Sequence, residues 1–523
     1  MSEKLKQNNS QTNLQEQSET PTSNKRIAKN ALMLYIRMFL TMIVGLYTSR
    51  VVLATLGVED YGIFGVVGGV VAMMGFLNAS MSGATSRFLT FELGRGNQKR
   101  LAEMFSSALI VHIGIALIVF VLAETVGLWF LCNKLVIPEG RMTAAHWVYQ
   151  CSILSAMLTI TQAPYNASII AHEKMGIYAY IEILNVTLKL LIVYLLVIGD
   201  LDKLILYAIL HLVVTIIVLL TYRIYCIRKF EEIKFQWTWD KGIIKSLLSF
   251  STWNIFSNVG WMFQHHGTNF VINFFLGVAM NAAVSIGLTV ANTINNFASN
   301  VMTAFRPQII KFWAIGQKDD MQRLTVLALK VICSIYCFVA IPCFVEIDNV
   351  LKLWLEKPPE SSSIVCRYFI LIIFFEIIKN ILTINVHATG KVKFLSMTAC
   401  ILYVLIPFIV YGFFLIGLGI DMAFLTLLLT NVILCLSNLL FVKIYTGLNV
   451  FKYITTIVYI VILATLSLTS SLLIKRLIPD TYVNIITNTI ISIALSSFLF
   501  YTFLLNKQQR LQIINRIRMI KKI

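Results

Sequence analysis

Apolar runs of about twenty residues follow one another from residue 30 to residue 505, and this recurrence decides the class of fold. A helix rises about 1.5 Å per residue, so about twenty apolar residues cross the roughly 30 Å core of a bilayer. In lipid every backbone N–H and C=O must find its partner inside the protein, which a helix provides within its own segment. Fourteen such spans can be read, near 30–56, 60–88, 106–131, 146–170, 176–198, 203–226, 246–276, 280–305, 324–346, 363–388, 392–417, 420–445, 453–474 and 482–505. Of the 523 residues 58% are hydrophobic and 13% charged, far from the balance of a water-soluble chain. The expected fold class is all-α and integral to a membrane, with about 14 transmembrane helices.

The net charge of +18 does not point to nucleic acid. Loops on the N-terminal side carry about 30 Lys and Arg and those on the far side about 7, the positive-inside pattern with both termini in the cytoplasm. The strongest markers are Lys25-Arg26-Lys29, Arg95 to Arg100, Arg223 to Lys245, Lys311 to Arg323 and the tail Arg510 to Lys522. The far-side turns are neutral or acidic, as at Glu59-Asp60, Asp200 to Asp202, Glu346 to Asp348 and Asp421. The tail NKQQRLQIINRIRMIKKI reads as a basic amphipathic helix on the anionic leaflet. Residues 1–24 are rich in Gln, Asn, Ser and Thr and read as a disordered tail, with no cleavable leader.

The chain also repeats itself. Slid by 220 positions, Leu56-Gly57-Val58 falls on Leu276-Gly277-Val278, Thr48 on Thr268, Ala84 on Ala304 and Gly96 on Gly316. The shared plan is helix, LGV turn, helix, cationic exit, Gly, helix. Duplicated halves are a common transporter architecture, with the substrate site between the repeats.

Charged and amide side chains stand inside several spans. A charge at the bilayer centre costs about 2.5–3.5 kcal/mol, and half a dozen facing lipid would cost roughly 15–20 kcal/mol. They must face one another, a neighbouring helix or a wet cavity. Span 1 carries Arg37 and Arg50 on different faces, and snorkelling to the interface is the alternative for each. In span 7, Asn254, Asn258, Trp261, His265 and Asn269 share one stripe; span 8 answers with Ser285, Asn292, Asn296 and Asn300. Amide and imidazole groups beside an indole suit sugar hydroxyls and phosphate oxygens; hydrogen bonding between helices is the plainer role. Span 10 aligns Glu376, Lys379, Thr383 and His387, and span 5 aligns Glu182, Asn185 and Lys189. Both sets read as ion pairs that lock helices together, or as sites for proton or ion coupling, as do Glu124 and His112 in span 3. Arg87 and Arg306 close spans 2 and 8 and are placed to flank a cytoplasmic mouth.

No catalytic pattern emerges. The chain has no phosphate-binding Gly loop, no HExxH and no CxxC. Its longest loops run to roughly 15–20 residues, too short for the large outward loops of membrane polymerases. Neither a cofactor nor a metal is expected, and the protein is read as no enzyme.

Around span 2 the chain resembles a known family. GATSRFLTFELGRGNQKRLAEMFSSAL, the turn LGVEDYGIFG and the stretch PYNASIIAHEKMGIYAYIEILN are similar to segments of polysaccharide flippases. These form the O-antigen (Wzx-type) branch of the MATE-like multidrug/oligosaccharidyl-lipid/polysaccharide exporter superfamily. The resemblance implies two pseudo-symmetric six-helix lobes and two C-terminal helices. Residues 25–226 would form the N-lobe, 227–245 a cytoplasmic linker, 246–445 the C-lobe, 446–505 the last two spans and 506–523 the basic tail. It implies a protein of the bacterial inner membrane that flips undecaprenyl-diphosphate-linked oligosaccharide for O-antigen, capsule or exopolysaccharide. Arg37, Arg50 and Arg306 would meet the diphosphate and Asn258, His265 and Asn269 the sugar, with Asn292 and Asn296 as further candidates for the substrate cavity. Glu124, Lys189, Glu376 and Lys379 are the candidates for coupling to H+ or Na+. Membrane lipids are the other expected partners, and a monomer is expected. The alternatives are an ion-coupled drug antiporter of the same superfamily and, from another class, a membrane O-antigen polymerase or ligase.

Overall fold

A computed structural model describes residues 27–504, apart from 28, 46, 49–50, 53, 58, 66, 69–74, 134–136, 139, 197–201, 234–239, 356–357 and 478–481. The two tails and Arg50 lie outside the described residues. Every regular element among the described residues is helical.

The first half begins with α1 (29–45). It continues through α2 (Gly75–Arg95), α3 (Gln98–Leu122), a π-turn (Ala123–Gly127), α4 (Leu128–Asn133), α5 (Met142–Ala171), α6 (Met175–Leu195) and α7 (Lys203–Lys229). Next comes α8 (Lys241–Ala314), two helical arms run together through Gly277. The second half holds α9 (Lys318–Val345), α10 (Ile347–Leu355), α11 (Ser362–Thr389), α12 (Lys393–Leu415), α13 (Ile420–Thr446), α14 (Val450–Leu477) and α15 (Tyr482–Leu499).

Nine of the described helical segments are long and apolar enough to cross a membrane. The segments α2, α5 and each arm of α8 are of spanning length but fall outside that group. Their polar stripes lower the mean hydropathy, so apolarity alone does not reach the expected count of fourteen.

Contacts divide the chain into two units, Met1–Ile255 and Phe256–Ile523. This boundary falls within the first arm of α8, beyond the linker expected at 227–245. In the first unit α5 is central, packed against α2, α3 and α7, with α6 on α7. In the second unit α11 packs against α9 and α13, with α12 on α13, while α14 and α15 pair with each other and with α9.

The 220-residue repeat is visible in the backbone. Helices α3 and α9 start at 98 and 318, and α5 and α11 at 142 and 362, both 220 apart. The next pairs, α6 with α12 (175 and 393) and α7 with α13 (203 and 420), drift to 218 and 217. Gly57 and Gly277 hold φ of +80° and +77°, and Gly96 and Gly316 hold +71° and +79°. These are left-handed values that side chains with a Cβ avoid, so each glycine permits its helix to end sharply.

Small residues set close approaches inside the second unit. A Cβ on Gly260 would stand 2.8 Å from the Cys400 Cα, and one on Gly287 2.8 Å from a Phe369 ring carbon. Glycine lets helices come together where lipid offers no hydrophobic drive.

Candidate functional site

Each unit contains a polar cavity. In the second unit it has a volume of about 330 Å³. The first arm of α8 contributes Trp261, Gln264, His265, Thr268 and Asn269, spaced by three and four residues, so all share one face. The second arm brings Ser285, Thr289 and Asn292, and Glu376, Tyr403 and Asn431 come from α11, α12 and α13. The Trp261 and His265 rings stack at 5.5 Å and 14°. Lys379 Nζ donates to Tyr403 Oη at 2.8 Å and lies 3.9 Å from the Glu376 carboxylate. The one carboxylate on this wall therefore has a cation beside it. Asn438 Nδ2 donates to the Lys379 carbonyl at 3.1 Å and to Thr383 Oγ1 at 2.8 Å, which ties α13 to the same turn of α11.

The cavity of the first unit is larger, about 650 Å³. One face of α6 offers Glu182, Asn185 and Lys189; α5 offers Gln162 and Asn166, and α7 offers His211. Tyr222 Oη donates to the Glu182 carboxylate at 3.4 Å. One turn before Glu182, the Tyr178 ring lies 4.9 Å beneath the Arg37 guanidinium.

Of the residues expected from sequence, His265, Asn269, Asn292 and Glu376 line one cavity, with Lys379 behind its wall. Lys189 lines the other. Neither cavity counts Arg37, Asn258, Asn296, Arg306 or Glu124 among its lining residues. Asn258 and Asn296 are exposed on α8. The Arg306 Nε is buried without a hydrogen-bond partner among the described residues. Glu124 is half-buried in the π-turn, where Tyr149 Oη donates to the Ala123 carbonyl at 2.6 Å. Arg87 is buried, its guanidinium 4.4 Å over Phe88 and 4.8 Å over Phe91. Sequence reasoning missed Gln162, Asn166 and His211 in the first unit and Gln264, Tyr403 and Asn431 in the second. A polar pair one turn apart, such as Gln162 with Asn166 or His211 with Thr215, was the available signal.

Outside the spans, Arg141 joins three turns of the first unit. Its Nε donates to Asp60 at 2.8 Å and its Nη1 to Asp202 at 2.5 Å. Burial pushes the Asp202 carboxyl up, but hydrogen bonds from Arg141, Ile205 and Leu204 and the Arg141 charge outweigh it and hold it below its ordinary value.

No protein-family model and no curated protein matches the chain. Solved structures do. The chain superposes on a multidrug resistance MATE family transporter of the MOP superfamily in an outward-facing conformation, at a TM-score of 0.67 and 12% identity, over 81% of this chain and 95% of that one. The fold is that of the MATE transporters. A MATE structure in the bent conformation aligns at a TM-score of 0.70 and 12% identity, over 83% of this chain and 97% of that one. A MOP superfamily transporter from Pyrococcus furiosus, described as having a binding pocket of reverse polarity that suggests a different function, aligns at 0.64 and 13% identity, over 81% and 95%. The nine apolar spans and the MATE fold make this a multi-pass membrane protein.

Proposed function

We propose that this chain is a membrane transporter, not an enzyme, that flips an oligosaccharide linked to undecaprenyl diphosphate across the bacterial inner membrane. The supporting observation is the wall of the second unit's cavity. Indole, imidazole, amide and hydroxyl groups line it, and its one carboxylate has Lys379 beside it. Amides and hydroxyls both donate and accept, which matches sugar hydroxyls. A stacked Trp261–His265 pair offers a flat apolar face to a pyranose ring. A lipophilic cation would instead call for a free carboxylate. In this reading Arg37, Arg50 and Arg306 serve the diphosphate, and His265, Asn269 and Asn292 the glycan, with Asn258 and Asn296 along its route. Coupling to H+ or Na+ falls to Glu124, Lys189, Glu376 or Lys379, with both termini in the cytoplasm and a monomer as the working unit.

The competing reading is a drug antiporter of the same fold, favoured by the multidrug description of a structural neighbour. It predicts that Glu376 or Glu124 is essential and that sugar-facing amides are not. The test is to place Arg37→Ala and His265→Ala variants in a strain lacking its own flippase and to measure surface polysaccharide. Reduced export at normal expression supports the flippase. Unchanged export, with drug resistance lost in Glu376→Gln, transfers the assignment to the antiporter.

A further inference from the structure

The flippase reading gives the larger cavity, in the first unit, no part beyond Lys189 as one candidate for ion coupling. Its charges are arranged in an unusual way. Glu182 and Lys189 stand seven residues apart on one face of α6, two turns or roughly 10 Å along the axis. Both are half-buried and both line the cavity. Among the described residues neither forms an ion pair within 4.0 Å. Among the described residues the Glu182 carboxylate receives one hydrogen bond, the long one from Tyr222. His211 joins the wall from α7, its ring 6.0 Å from Phe64. Asn185 lies between Glu182 and Lys189 on the same face of α6, and Gln162 and Asn166 of α5 line the same cavity, Gln162 Nε2 donating to Asn166 Oδ1 at 3.3 Å.

Charges in a half-buried cavity are held at a cost unless something neutralises them. Two turns of helix keep these two from closing into an ion pair, so each compensates the other only across the cavity. The wall carries one negative and one positive group, so it does not collect simple ions of one sign. A molecule with a cation at one end, an anion at the other and hydroxyls between would satisfy all of these groups together. A volume of about 650 Å³ falls in the range of small-molecule sites.

We propose that the first unit's cavity binds a dipolar glycan of disaccharide length, its ammonium at Glu182, its carboxylate at Lys189 and His211, and its hydroxyls on Asn185, Gln162 and Asn166. The proposal rests on the transporter reading above and names the class of glycan: a repeat unit carrying both an amino sugar and a uronic acid.

The test uses the full chain in lipid nanodiscs and titration calorimetry with three probes. These are glucuronic acid linked to glucosamine with its amine free, the same disaccharide N-acetylated, and its uronate methyl ester. Each masked probe is expected to bind about tenfold more weakly or worse, the loss of one hydrogen bond to a charged group. Glu182→Gln should abolish the preference for the free amine and leave the preference for the free carboxylate. Lys189→Met should do the reverse. Because the probes are altered and not the protein, a variant that fails to fold does not remove the test. Equal affinity for the three probes, or no binding of the free disaccharide, overturns the proposal. So does a change only in the pH dependence of transport in both variants, which would make the pair a proton relay. Export by the cells is scored separately. Export with no discrimination among probes sinks this site and leaves the flippase, whereas discrimination with no glycan export from wild type sinks the flippase and leaves the site.

Discussion

Lys379 Nζ donates to Tyr403 Oη at 2.8 Å while the Glu376 carboxylate stands 3.9 Å away. Lys379 is buried, and Glu376 is about a third exposed to the cavity. Removing one partner of a buried pair costs more than replacing both, because the survivor keeps its desolvation cost. Solvent reaching Glu376 reduces that cost. Glu376→Gln is expected to destabilise by about 1–3 kcal/mol, and Lys379→Met combined with Glu376→Gln by less than the sum of the single changes. Thermal unfolding of the four proteins in detergent gives the coupling directly. Strict additivity would remove the pair from the account.

The glycines divide into two kinds, and alanine substitutions separate them. Gly57 and Gly277 have open space where a Cβ would go but φ near +80°. Alanine there is expected to cost about 1–2 kcal/mol from backbone strain, and at Gly277, whose ψ is −177°, asparagine no less, because that region is open to glycine almost alone. Gly260 has ordinary backbone, but its Cβ would meet the backbone of Cys400 at 2.8 Å. Gly260→Ala must push α8 from α12, at about 1–3 kcal/mol, and Gly260→Asn should be worse, not better. An asparagine that rescues Gly260→Ala, measured by the same unfolding assay, would contradict this division.

Arg141 should make stability fall in acid. The Asp202 carboxyl is held below its ordinary value, so the folded state favours its ionised form. That contribution is complete above the ordinary aspartate value, about 4, and is lost as pH falls through the lowered folded value. Arg141→Gln and Asp202→Asn should each flatten the low-pH limb of the unfolding midpoint and cost about 0.5–1 kcal/mol at neutral pH, since the pair is partly exposed. A low-pH limb of unchanged slope in both variants would count against the clasp.

Tyr149 supports the π-turn. Its side chain is fully buried, and its hydroxyl donates to the Ala123 carbonyl at 2.6 Å. Tyr149→Phe removes the donor and keeps the ring, so about 1–2 kcal/mol should be lost. Gly127→Ala should be more damaging, because its Cβ would run into the same hydroxyl. If the double variant is less stable than Gly127→Ala alone, the clash is not with that hydroxyl.

Much of the fold was legible in the residues. Apolar length announced helices in lipid, and the LGV pair at 56–58 and 276–278 announced a duplication. The starts of α3 and α9 and of α5 and α11 carry the same 220-residue step. The stripe Trp261–His265–Asn269 on α8 was equally legible, because helical periodicity fixes which side chains share a face. What that stripe meets was not legible. Tyr403 and Asn431 reach the same cavity from α12 and α13, more than 130 residues away in sequence, and nothing local to either marks it.

The sequence by itself determined where helices form, where glycine ends them and which side chains share a face, because backbone sterics and apolar periodicity act over a few residues. Only the tertiary structure decided that Lys379 donates to Tyr403, that Lys189 and His211 share one cavity, and that Asn258 and Asn296 stand outside both. Those outcomes depend on how whole helices rotate and pack against one another, and in lipid that is settled by small-residue contacts and polar pairing summed over many distant residues.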